Sequence, residues 1–125
     1  MSNFISSGSK AEIMVAAYLR KSGYIISKMN YHSKYGEIDI IAENRERVIF
    51  VEVKMRGKDA IMAPAEAVDA FKQRKILLTA KDYLLKAHLG DLELRFDVAE
   101  VFEEESTAVN KRYRLHYIRN AFGNF

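Results

Sequence analysis

The chain of 125 residues contains no cysteine. That excludes disulfides and thiolate metal centres, and it suits a reducing cytosol. Long hydrophobic runs are missing too. A run such as Met14 to Leu19 is far too short to cross a bilayer or to form the apolar stretch of a signal peptide. There is no glycine-rich phosphate loop and no serine-elbow motif. His32, His88 and His116 are scattered without metal-ligand spacing, which reads as surface or turn histidine. Internal repeats, low-complexity tracts and long linkers are also absent. The positive excess is small, a net charge of +3 with a pI near 9.1. It permits nucleic-acid binding without arguing for it, because clustering of charge matters more than its total. Nearly half the residues are apolar and 30% are charged, as in an ordinary soluble globular protein, and the length suits one domain with a real core.

Against this plain background one stretch stands out, Val48-Ile49-Phe50-Val51-Glu52-Val53-Lys54. Its β-branched and aromatic residues read as a strand buried on both faces. Alternation sets Glu52 and Lys54 on the same face as Val48 and Phe50, with Ile49, Val51 and Val53 on the other. Burying either charge unpaired costs several kcal/mol. Their presence in the strongest strand therefore points to use.

The remainder of the chain supplies elements around that strand. Ser9 to Glu12 reads as a helix start, with apolar periodicity through Leu19 and a stop at Gly23. Glu12 falls on the apolar face beside Val15, Ala16 and Leu19, yet Ser9 and Glu12 also have the spacing of a capping box. Tyr24 to Lys28 is a first strand, followed by a polar connection from Asn30 to Gly36. Glu37 to Ala42 is a second strand, with Glu37, Asp39 and Ile41 on one face and Ile38 and Ile40 on the other. A charged turn, Asn44 to Arg47, makes strands two and three an antiparallel hairpin, and Asp39 then lies opposite or diagonal to Glu52. A basic loop with Arg56 and Lys58 leads to Pro64, the expected first residue of a helix running from about Ala65 to Leu89. Lys72, Lys75, Thr79, Asp82 and Lys86 form its polar stripe, expected to be solvated. Gln73 points among Leu77, Ala80 and Leu84 and needs a partner, or serves as a helix-edge residue. Leu92 to Phe102 is a fourth strand. Lys111 to Arg119 is an edge strand, with Tyr113, Leu115 and Tyr117 facing one way and Arg112, Arg114 and His116 the other. Its charges discourage further pairing or touch a phosphate backbone. The tail from Asn120 reads as frayed or docked on a partner. Helix, three strands, helix and two strands make an α/β fold on a mixed sheet.

Asp39 and Glu52 together form a hard oxygen site of the kind that suits Mg²⁺ or Mn²⁺, with the Val53 carbonyl as a further ligand. Lys54 beside them is placed to orient or deprotonate an attacking water, or to neutralise charge developing on phosphorus. Glu12 completes the shell if the first helix packs across this face. The bland reading is an ion pair, Asp39–Lys54 or Glu52–Lys54, at the sheet margin.

Gly36-Glu37-Ile38-Asp39 followed by Phe50-Val51-Glu52-Val53-Lys54-x-Arg56 resembles the uncharacterised protein family 0102, the YraN-like small bacterial proteins. Gly8 to Glu12, Gly23-Tyr24, Asn30 and Arg95-Phe96-Asp97-Val98 also fit that pattern. The resemblance covers residues 8 to 102, and the C-terminal segment matches little. The family looks like a branch of the restriction-endonuclease-like superfamily, close to archaeal Holliday-junction resolvases. This resemblance implies an αβββαβ core and a PD-(D/E)xK site. By position Asp39 is then the metal aspartate, Glu52 the metal glutamate, Lys54 the catalytic lysine and Glu12 the acidic residue of helix one. The motif's proline is replaced by Ile38. The implied activity is divalent-metal-dependent hydrolysis of DNA phosphodiester bonds, branched DNA included, by a homodimer. A binding module that keeps the fold without turnover is the alternative. Arg56, Lys58, Lys72 and Gln73 are the expected nucleic-acid contacts.

Overall fold

A computed structural model describes residues 7–57, 68–87, 90–104, 107, 109 and 111–123. The elements are α1 (Ser7–Lys21), β1 (Ile25–His32), β2 (Glu37–Glu43), β3 (Arg47–Arg56), α2 (Ala70–Ala87), β4 (Glu93–Glu103) and β5 (Tyr113–Phe122). The five strands lie side by side in chain order, β1-β2-β3-β4-β5. Neighbours pair antiparallel except β3 and β4, which run parallel. A parallel neighbour requires a crossover, and α2 supplies it. This is a mixed α/β protein, with the element order expected from the sequence.

β3 sits at the centre of the sheet, and each of its faces is covered. Ile49 and Val51 join Ile40, Ala42, Ala99 and Val101 under Ala11, Val15, Ala16 and Leu19 of α1. Val48 and Phe50 join Ile38, Ile41, Phe96 and Val98 under Ile76, Ala80 and Tyr83 of α2. Phe50 stacks on Phe96 at 5.2 Å between ring centroids. α1 ends at Lys21 and is stopped, as expected, by Gly23, whose φ of 97° is open to glycine. Gly23 donates to the Arg20 carbonyl and Tyr24 to that of Leu19, closing the orphan carbonyls of the last turn.

Several expectations are corrected. β1 runs on to His32, so Asn30 to His32 belong to a strand and not to a connection. Strict alternation in β2 fails. Ile38 packs with Ile41 on the α2 side while Ile40 packs under α1, so the strand changes face at Asp39. α2 begins at Ala70, not near Ala65, because Asp69 caps it: Oδ1 accepts the Lys72 N–H at 2.8 Å. Pro64 lies outside the described residues. The tail is not frayed through Phe122. β5 extends to that residue, whose ring is buried 5.4 Å from Phe96. The polar stripe of α2 is not solvated throughout. Thr79 is fully buried, its hydroxyl 2.9 Å from Ser33 Oγ, and Asp82 receives the Tyr31 hydroxyl at 2.6 Å. That stripe faces the β1–β2 loop, where a Cβ added at Gly36 would stand in ordinary contact with α2, 3.5 Å from Lys75 Cβ. A tight hairpin needs polar side chains here to satisfy its turn groups, which inverts the usual reading of polar as outward.

Candidate active site

β2 and β3 pair from Glu43–Val48 to Ile40–Val51. Continued by one step, that register sets Asp39 opposite Glu52. There the two strands part, and the Asp39 carboxylate takes the place of a ladder acceptor, its Oδ2 receiving the Val53 N–H at 2.8 Å. Glu52 is 7% exposed and Asp39 half-buried. Burial, then the charge of Glu52, pushes the Asp39 carboxyl up to about 7, against the opposing hydrogen bond from Val53, with smaller pushes from Glu12 and Glu37. A carboxyl whose proton affinity is raised by burial and by a neighbouring carboxylate marks a site with surplus negative charge.

A cation meets that charge from the first turn of α2, Lys72. Its Nζ lies 2.5 Å from Glu52 Oε1, and burial of Lys72 is outweighed by Glu52, so its pKa is raised. Neither carboxylate pairs with Lys54. That residue is half-buried, two positions past Glu52 on β3, and forms no ion pair with a described residue. The expected Asp39–Lys54 or Glu52–Lys54 ion pair therefore does not form, and Glu52 pairs with Lys72 instead.

The other candidate residues fall as follows. Glu12 is half-buried on α1 and accepts a 3.3 Å hydrogen bond from Asn30 Nδ2. It lies within α1, which is already helical at Ser7, so the capping-box reading fails. Asn30 has a φ of 52°, a left-handed conformation that asparagine tolerates, at the level where β1 passes the site. Gln73 donates Nε2 to the Val68 carbonyl at 2.6 Å and so fastens the approach to α2. Arg56 Nε bonds Glu100 Oε2 at 3.2 Å, and His116 Nδ1 lies 3.2 Å from the other oxygen of that carboxylate, which is 1% exposed. Lys58 lies outside the described residues.

Sequence reasoning did not anticipate the role of Lys72, nor the network at Asp97. The Asp97 carboxylate is fully buried and accepts from Arg95, from the Tyr117 hydroxyl at 2.6 Å and from the Asn120 N–H at 2.8 Å. Burial and the neighbouring Asp97 drive the Tyr117 phenol well above its ordinary pKa. The network stands where the β4–β5 register shifts between Phe96 and Val98, and it holds that bulge together. The signal was Arg95 and Asp97 on one strand face within an apolar run.

Whether these residues suit a divalent ion turns on their donor set. Two carboxylates, one with a free oxygen after the Val53 bond, suit Mg²⁺ or Mn²⁺, which complete their shells with water and phosphate oxygens. Among the described residues no cage of three or more His, Asp or Glu side chains is gathered. The fit is thus to a lightly held ion shared with a ligand, not to a closed structural cage.

The fold and the site define a small mixed α/β protein with two neighbouring carboxylates, Asp39 and Glu52, where the pairing of a central hairpin ends. Residues 11–101 match the uncharacterised protein family UPF0102, and the chain belongs to that family. It is 43% identical over 115 residues to a UPF0102 protein of Desulforapulum autotrophicum, covering 92% of this chain and 91% of that one. A UPF0102 protein of Alkaliphilus metalliredigens is 40% identical over 117 residues, covering 94% and 97%. One from Clostridium acetobutylicum is 43% identical over 115 residues, covering 92% of each chain. No helix among the described residues is long and apolar enough to cross a membrane.

Proposed function

We propose that this protein is a divalent-metal-dependent endonuclease of restriction-endonuclease-like fold, hydrolysing phosphodiester bonds in DNA, with branched DNA among its substrates. The observation that carries the reading is the nearness of Asp39 to Glu52 just past the last β2–β3 pair, where burial and the charge of Glu52 act against the Asp39 carboxylate and a cation would relieve them. Asp39 and Glu52 hold Mg²⁺ or Mn²⁺ in this reading, with the Val53 carbonyl as a further oxygen. The bound ion supplies Lewis acidity toward a phosphate oxygen and lowers the pKa of a coordinated water. Lys54, free of ion pairs with the described residues, holds and orients the attacking water or meets the charge that grows on phosphorus. Val53 keeps the Asp39 carboxylate in one rotamer through its N–H, so one oxygen remains available. Glu12, tied to Asn30, adds negative potential from the α1 side. Phosphate contacts come from the lysines on the same flank, Lys72 and Lys75, and a homodimer provides one site for each strand of a duplex.

The test is incubation of supercoiled plasmid and a synthetic four-way junction with Mg²⁺ or Mn²⁺. Cutting that requires metal and disappears in Asp39→Asn and Lys54→Ala supports the reading. Folded protein that cuts neither substrate contradicts it.

A second reading has its own observation. Lys72 already neutralises Glu52, as in a site that has given up its metal and binds DNA without turnover. That version predicts salt-sensitive DNA binding that survives Asp39→Asn, with no cutting in any metal.

A further inference from the structure

The first turn of α2 brings a cation to Glu52, just past the last β2–β3 pair. Asp69 caps the helix, and three residues on Lys72 extends to Glu52, 2.5 Å between Nζ and Oε1. The lysine side chain is 46% exposed while the glutamate it meets is 8% exposed, so the ammonium enters from the solvent side. An ammonium and a divalent ion are both hard cations, and they compete for the same carboxylate oxygen.

We infer that Lys72 is the resident counter-ion of the metal-free site. It holds Glu52 in place until a divalent ion displaces its ammonium, and the freed lysine then turns outward to a phosphate of the bound strand. This rests on the metal-binding reading above and assigns that site its regulation: metal loading and the release of a phosphate-binding lysine are one event. The alternative for Lys72, a fixed surface ion pair that only steadies α2, differs in sign. A competitor's removal tightens metal binding, whereas loss of a scaffold loosens the site. The partly exposed end of the lysine makes displacement inexpensive, since exposed ion pairs contribute little net stability. The buried oxygen of Glu52 keeps the site from being vacant, because an unpaired charge there is unfavourable.

Metal affinity separates the two without any catalytic readout. Mn²⁺ titrated into the protein and followed by loss of its free electron-spin-resonance signal gives the affinity of wild type, Lys72→Met and Lys72→Gln, with thermal melts as folding controls. The expected result is tighter Mn²⁺ binding in both variants, by about threefold to tenfold. Lys75→Met removes the same charge one turn along α2, from a lysine whose ammonium lies over the Phe71 ring, and should move the affinity much less. In metal-free buffer Lys72→Met should leave the salt dependence of DNA binding unchanged in the wild-type background. In a Glu52→Gln background, where the lysine is already released, it should reduce the slope of log K against log salt by about one. Unchanged or weaker Mn²⁺ binding in the Lys72 variants, with wild type binding normally, overturns this proposal and leaves the metal site standing. Absence of Mn²⁺ binding in wild type and variants alike overturns the metal site and the proposal together.

Discussion

Asp39 Oδ2 accepts the Val53 N–H at 2.8 Å, at the point where β2 and β3 cease to pair. One side chain thus replaces a ladder hydrogen bond and keeps its second oxygen for another partner. The two tasks separate by mutation. Asparagine keeps an acceptor for Val53 and loses the charge, so Asp39→Asn should melt at or above wild type at pH 8. Alanine leaves the N–H without its partner and should cost about 1–3 kcal/mol in urea unfolding. Both should lower cutting by at least about a hundredfold. Equal stability of the two variants would deny Asp39 its structural task.

Proton linkage gives a second prediction. The folded-state carboxyl of Asp39 sits at about 7 against an ordinary 3.8, raised by burial and by Glu52. The folded protein therefore holds a proton that the unfolded chain has lost between about pH 4 and pH 7. The stability this contributes is complete below about pH 4 and disappears as pH rises through 7. A metal must expel the same proton, so Mn²⁺ affinity should rise with pH and level off above about 7. Urea midpoints across this window should fall with pH in wild type and lose that component in Asp39→Asn.

The Asp97 network predicts a loss of stability separable from chemistry. Its carboxylate is fully buried with Arg95, Tyr117 and the Asn120 N–H as partners. Replacing Arg95 with leucine strands that charge and should cost about 3–5 kcal/mol. Urea denaturation reads it, and the folded fraction should still bind Mn²⁺ with wild-type affinity.

Phe71 predicts a binding effect without a folding one. Its ring is 68% exposed in the first turn of α2, with Lys75 Nζ 4.5 Å from the centroid, and Lys72 follows it in sequence. An exposed aromatic beside lysines is a platform for unpaired bases, where stacking is worth about 1–3 kcal/mol per base. Phe71→Ala should weaken binding of single-stranded oligonucleotide at least about fivefold in a fluorescence-anisotropy titration, and duplex binding less. Its stability should stay within about 0.5 kcal/mol of wild type.

Much of this arrangement was legible in the sequence because it depends on local periodicity. The run Val48 to Lys54, the charged turn before it and the largely apolar run Ile38 to Ala42 sufficed to build the hairpin and bring Asp39 toward Glu52. What was not legible depends on contacts between distant segments. The partner of Glu52 comes from α2, across a parallel crossover whose register no pattern in the sequence fixes, so the sequence alone points to Lys54. The face change at Asp39 follows from the fork itself, which ends strict alternation. Phe122 docks on Phe96 because Asp97 secures a bulge next to Asn120, whose φ is 51°. Without that bulge the tail reads as surplus chain. Thr79 misled for a related reason: its polarity serves the β1–β2 loop and not solvent.

The most direct measurement of the central claim is Mn²⁺ binding at pH 8, followed by loss of the free-ion spin resonance in wild type, Asp39→Asn and Glu52→Gln. One bound ion per chain in wild type, with affinity falling at least about tenfold in each variant, is the predicted result. Folded wild-type protein that takes up no Mn²⁺, or variants that bind it as tightly as wild type, would contradict a cation site between these two carboxylates.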